Sequence, residues 1–213
     1  MKLAAAIVLA TVLAASPARA QPDCTADADR LRAHLEQADR ATFRWNTTWA
    51  ILFGTAAVGQ VVLAVTEIKP FGTFDAATRD TYYVGATKAT LALATRVFTP
   101  LRVSIPAPSA DRCSELIALR ASLSSIANKE RQGFWLGHLG GFVLNVAASG
   151  LLWHRHSFND GALSFAMSFP VGLASTYTMP RRSWHLYRAE RASWSVGLAI
   201  HSERTMFSLS GEI

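Results

Sequence analysis

Residues 47–66 read TTWAILFGTAAVGQVVLAVT, a run with no charged side chain and only Gln60 strongly polar. About 20 such residues, rising ~1.5 Å each in a helix, reach across the ~30 Å hydrocarbon core of a bilayer. Trp45 and Trp49 stand at its start, the level at which interfacial aromatic side chains collect. We expect a membrane-spanning helix here, and the rest of the chain is read outward from it.

Toward the N-terminus, residues 21–44 are amphipathic. Leu31 and Leu35 recur one turn apart, and Asp29, Arg30, Arg32, Glu36, Asp39 and Arg40 supply a solvated face. Before them lies a basic start at Lys2, an apolar core over 3–15, a break at Ser16-Pro17 and the small-residue pattern Ala18-Arg19-Ala20. That order is a secretory signal peptide over 1–20. It places the remainder in an oxidising space, where the two cysteines, Cys24 and Cys113, are expected to form one disulfide.

Toward the C-terminus, 67–80 is expected to be a loop, punctuated by Pro70 and Gly72. A second apolar block covers 81–103 but carries Lys88 and Arg96, with Pro100 near its end. Pro106 and Pro108 make a linker. The same order then returns. Residues 111–132 form an amphipathic helix with Leu116, Leu119, Leu123 and Ile126 at helical spacing, and a third apolar block, 133–153, follows. A short loop over 154–160 leads to a fourth block, 161–179, holding Pro170. From Trp194 the pattern changes to period two, broken at His201-Ser202-Glu203-Arg204, which reads as a β-hairpin.

The expected fold is mainly α: a four-span helical membrane bundle, two amphipathic external helices and a small C-terminal hairpin. Its units are the signal peptide (1–20), a first helical unit (21–103), a second (104–180) and a tail (181–213). Cys24 and Cys113, and Trp45 and Trp135, recur at nearly one offset, and Pro100 and Arg102 match Pro180 and Arg182, so an internal duplication is expected. Two spans per unit put both cysteines on one side of the membrane. The expected location is a bacterial inner membrane, with the cysteine helices and tail in the periplasm. Lys and Arg counts oppose this orientation: Lys69, Arg79 and Arg155 fall inside, whereas Arg112, Arg120, Lys129, Arg131, Arg181, Arg182, Arg188 and Arg191 fall outside.

Half the residues are hydrophobic, mean hydropathy is +0.19 and the formal charge is +6. In an exported chain that positive balance points to lipid phosphates and away from nucleic acid. Gly133, Gly137 and Gly141 recur every four residues, spacing that lets helix backbones approach in a membrane, so they are expected to form a packing face. Ionisable groups at membrane depth are costly and often functional. Lys88, Arg96, His138 and Asn145 are therefore the candidate binding residues, a polar seam for an anion or lipid headgroup. No Walker loop, HExxH, Gly-x-Ser-x-Gly or paired carboxylates occur, so no catalytic residue, metal or cofactor is expected. His154 and His156, two apart, point to different sides of a helix. The expected function is structural or interaction-mediating, with membrane lipid as partner and a protein partner or second copy at the hairpin. The alternative is a small transporter or channel component for an anionic solute or lipid headgroup.

Overall fold

Between Pro22 and Pro70 the chain has no proline, and its first glycine is Gly54, so nothing interrupts a helix begun at Cys24. The computed structural model describes residues 24–68, 74–191, 195–201 and 204–210. In it α1 runs unbroken over Cys24–Thr66. The amphipathic segment and the first apolar block are one helix of 43 residues. It ends with Glu67 at φ 55°, a left-handed residue that stops the helix. After the loop, Asp75 accepts from the Thr78 amide at 2.7 Å and starts α2, Ala76–Phe98.

The cycle repeats with α3 and α4. Asp111 caps α3, Arg112–Arg155, through the Cys113 amide. Ser157 caps α4, Phe158–Tyr177, through the Asp160 amide. A fifth helix, α5, spans Arg182–Arg191. Beyond it the backbone of Ser195–His201 (β1) pairs antiparallel with Arg204–Ser210 (β2), Leu198 opposite Phe207. The expected signal peptide, residues 1–20, lies outside the described residues, as does Trp194.

The expectation of four spans is corrected. Among the described residues only α1 and α3 are long and apolar enough to cross a membrane. Composition explains the shortfall: α2 carries Arg79, Asp80, Lys88 and Arg96, and α4 carries Asn159, Asp160, Ser164, Ser168 and Ser175. The two amphipathic segments are also not separate external helices but the first halves of α1 and α3.

α1 packs along α2, and α3 along α4, as two long-and-short hairpins. The disulfide Cys24–Cys113, with Cα atoms 5.0 Å apart, ties the starts of α1 and α3 together. From there the two helices share a head whose core is Ala28, Leu31, Leu35, Leu116, Leu119, Leu123 and Ile126, with Leu186 and Tyr187 of α5 packed against it. Every one of these sits at helical spacing, so burying one stripe of each helix builds the core.

Two carboxylates fasten the head. Glu115, with no exposed side-chain surface, takes hydrogen bonds from Arg32 of α1, Arg112 and the Ser109 amide of the linker. Glu130 accepts from the Trp184 amide at 2.7 Å, so α3 places an anion at the positive start of α5. These acids answer pH in opposite senses. The Arg32 hydrogen bonds, then that of the Ser109 amide, hold the Glu115 carboxyl below its usual range. Its contribution to stability is present above the unfolded value of about 4.3 and is lost as pH falls through the folded value. Burial pushes Glu130 up, against the opposing Trp184 bond. The fold therefore holds that proton more tightly than the unfolded chain does, and the contribution is lost as pH rises through the raised value. Glu130→Gln keeps an acceptor for the amide. We expect it to melt higher than the parent at pH 7 and equally near pH 4. A lower melting temperature at pH 7 would show that the charge at α5 outweighs its burial.

Candidate functional site

Below the head the polarity of the protein inverts. Ile51, Val58, Val65, Leu139, Val143, Leu163 and Met167 are exposed, while Lys88, Asn145, Ser149, Ser164 and Ser175 are buried. Only 17% of the most apolar window of α1, and the same share in α3, is buried, whereas a soluble core helix of that hydropathy would be mostly covered. At the far end Asp80 receives His156 Nε2 at 2.9 Å and Arg155 at 3.3 Å, and Glu67 pairs with Arg79. Charge thus bounds the apolar zone on both sides.

Lys88 and Asn145, chosen from sequence, are brought together. Lys88 Nζ donates to Ser168 Oγ at 2.6 Å, Ser164 Oγ at 3.2 Å and Asn145 Oδ1 at 3.5 Å. Ser168 also donates to Asn145 Oδ1 at 2.6 Å, and Asn145 Nδ2 to the Gly141 carbonyl at 2.8 Å. No carboxylate joins this cluster among the described ion pairs. The two serines were missed in the sequence because serine is common in membrane helices. Their spacing Ser164–Ser168, one turn apart on α4, is the signal that would have found them. Interhelical hydrogen bonds in a membrane average about 0.6 kcal/mol each, less than the several kcal/mol cost of burying an ion. Lys88→Met is therefore expected to raise the melting temperature in detergent. A fall of several degrees would mean that a counter-anion compensates the ammonium.

Arg96 lies elsewhere, two turns nearer the head. Its guanidinium carbon sits 4.0 Å from the ring centroid of Trp45, and one terminal nitrogen donates to Ser175 Oγ at 2.8 Å. The Trp45 ring nitrogen donates to the Ser175 carbonyl at 3.1 Å, and that of Trp49 to Thr178 Oγ1 at 3.0 Å. Trp45 is buried, so it latches α1 to the end of α4 and does not form part of an interfacial belt. His138 joins neither group. Its Nδ1 lies 3.1 Å from the Phe134 carbonyl, and its ring packs between Phe134 and Tyr177.

The glycine row divides. A Cβ on Gly137 would stand 2.7 Å from Thr176 Oγ1, and one on Gly133 3.3 Å from Met179 Sδ, so both lie against the end of α4. Gly140 and Gly141 meet nothing within 4 Å. Of the glycines between α3 and α4 the closest contact is at Gly161, whose place next to a loop had suggested tolerance of a larger side chain: a Cβ there would stand 2.6 Å from the Ser149 carbonyl.

Where the hairpins meet, α2 touches α3 sparingly and the seam stays open as a cleft of about 640 Å³. Its lining includes Arg96 and Lys129 on the side nearer the head, and Leu91, Leu136, Gly140, Gly141 and Leu144 beyond them. Among the described residues no acidic side chain lines it. The volume falls within the ~300–1,000 Å³ usual for small-molecule sites. Arg96 has five donors, of which one is engaged in the described hydrogen bonds. Among the described residues no three His, Cys, Asp or Glu side chains converge as a metal site. Comparison of the chain with protein-family models, curated proteins and solved structures finds no match.

Proposed function

We propose that the chain is an integral membrane protein of a bacterial envelope that acts by holding and presenting a rigid helical head. The inverted polarity of the lower half carries this reading. Exposed apolar side chains in water are unfavourable by about 25 cal/mol per Å², so Ile51, Val58, Leu139 and their neighbours favour a lipid environment. α1 and α3 are long and apolar enough to cross it, the disulfide joins their starts, and α2, packed along α1, carries the chain back to that side. The signal peptide supplies the export route, and an oxidising periplasm suits Cys24 and Cys113. The duplication is supported by the twice-used order of long and short helix.

The test is fractionation. Carbonate washing should leave the protein in the membrane pellet, and protease added to spheroplasts should cut the head. Release into the carbonate supernatant would sink the reading.

One observation favours a second reading, a small transporter for an anionic solute: the Lys88 ammonium has only neutral partners among the described hydrogen bonds. In that case Lys88→Met should abolish anion flux in liposomes. A presenting protein should keep its partner after the same change.

A further inference from the structure

We infer that the cleft between α2 and α3 binds one acyl chain of an anionic phospholipid from the surrounding bilayer, with the phosphate held by Arg96 and Lys129. The inference rests on the membrane reading, and three observations bear on it.

The first is charge. Among the described residues the cleft is lined by two cations and no acid, so it complements a phosphodiester and not a zwitterion's ammonium. Arg96 is pinned in place by Trp45 and Ser175, which leaves most of its donors for a ligand at little ordering cost. Lys129 is exposed and free to close over a phosphate as a point charge.

The second is depth. Arg96 stacks on Trp45, and Lys129 lies on α3 one turn before the uncharged stretch that begins at Gly133, where the head gives way to the apolar zone. From Gly133 to Leu144 the cleft runs 11 residues down α3, about 17 Å at ~1.5 Å per residue. That is close to half of the ~30 Å hydrocarbon core, the depth of one leaflet. A lipid whose phosphate sits at the interface has its chain at that depth.

The third is shape. The walls are Leu91, Leu136 and Leu144, and the missing side chains of Gly140 and Gly141 make the groove. Neither glycine touches another helix, so packing does not explain them.

The experiment uses the full chain, purified in detergent and examined by native mass spectrometry with phosphatidylglycerol, phosphatidylcholine or inorganic phosphate. One phosphatidylglycerol should be retained in preference to phosphatidylcholine. The double variant Arg96→Gln, Lys129→Gln should retain it roughly thirtyfold more weakly, as expected for two interfacial cations. Gly141→Leu fills open space, so it should keep the parental melting temperature yet lose the lipid. Gly150→Leu, also in open space but outside the cleft, should retain it. Equal retention of both lipids, or no effect of Gly141→Leu, overturns the inference. So does protection by inorganic phosphate equal to that by phosphatidylglycerol, which would mark a site for a soluble anion. Carbonate fractionation of the same preparations separates the two failures. A protein that stays in the membrane but shows no lipid preference loses only this inference, and one that washes out loses the membrane reading as well.

Discussion

Gly161→Leu should dismantle the α3–α4 hairpin, while Gly141→Leu should leave it standing. A Cβ on Gly161 would lie 2.6 Å from the Ser149 carbonyl, 2.9 Å from the Trp153 Cβ and 3.2 Å from the Trp153 amide nitrogen. Two of these neighbours are backbone atoms within a continuous helix and cannot swing away as a side-chain tip can. Overpacking of this kind costs about 1–3 kcal/mol and occasionally more. Gly161→Ala is expected within that range, and Gly161→Leu at its top or beyond. At Gly141 nothing lies within 4 Å, and replacing a helical glycine recovers up to about 1 kcal/mol of backbone entropy. The reading is a heating series in detergent, scored by the fraction remaining soluble. Equal tolerance at the two positions would show that α4 does not approach α3 this closely in the protein.

Removing the disulfide should have an effect of similar size. Cys24 and Cys113 are 89 residues apart, so the bond closes a long loop. Disulfides stabilise typically by about 2–4 kcal/mol, mainly through the unfolded state. Cys24→Ser with Cys113→Ser leaves no lone thiol to form wrong pairs. It should lower the melting temperature of the head without separating α1 from α3, because Glu115 still bridges Arg32 and Arg112. Mass-tag alkylation of the parent should find no free thiol before reductant is added. Two tagged thiols in the unreduced protein would remove both the bond and the argument for an oxidising compartment.

Much of the fold was written in local pattern. The stretch at 47–66 named itself as helix by composition, and Leu31, Leu35, Leu116, Leu119, Leu123 and Ile126 named the head core by spacing. The chain has two cysteines, Cys24 and Cys113, so only one intramolecular pairing was open to them. The pairing of α5 with the head was not legible, because Glu130 caps it from another helix and no sequence separation encodes that contact. Neither was the merging of amphipathic and apolar segments, since a polarity change resembles a boundary where no glycine or proline marks one.

The candidate site shows the same division. Sequence alone determined that Lys88, Arg96 and Asn145 are polar groups set in apolar helices, because cost of burial is a property of each side chain. It could not say that Lys88 and Asn145 meet while Arg96 stands apart under Trp45, since those partners lie on other helices. Nor could it divide one glycine row into Gly137, packed against Thr176, and Gly141, open on a cleft. Periodicity assigns a residue to a helix face. Which neighbour fills that face, or leaves it empty, is decided only when two hairpins dock, because a gap belongs to the pair and to neither sequence.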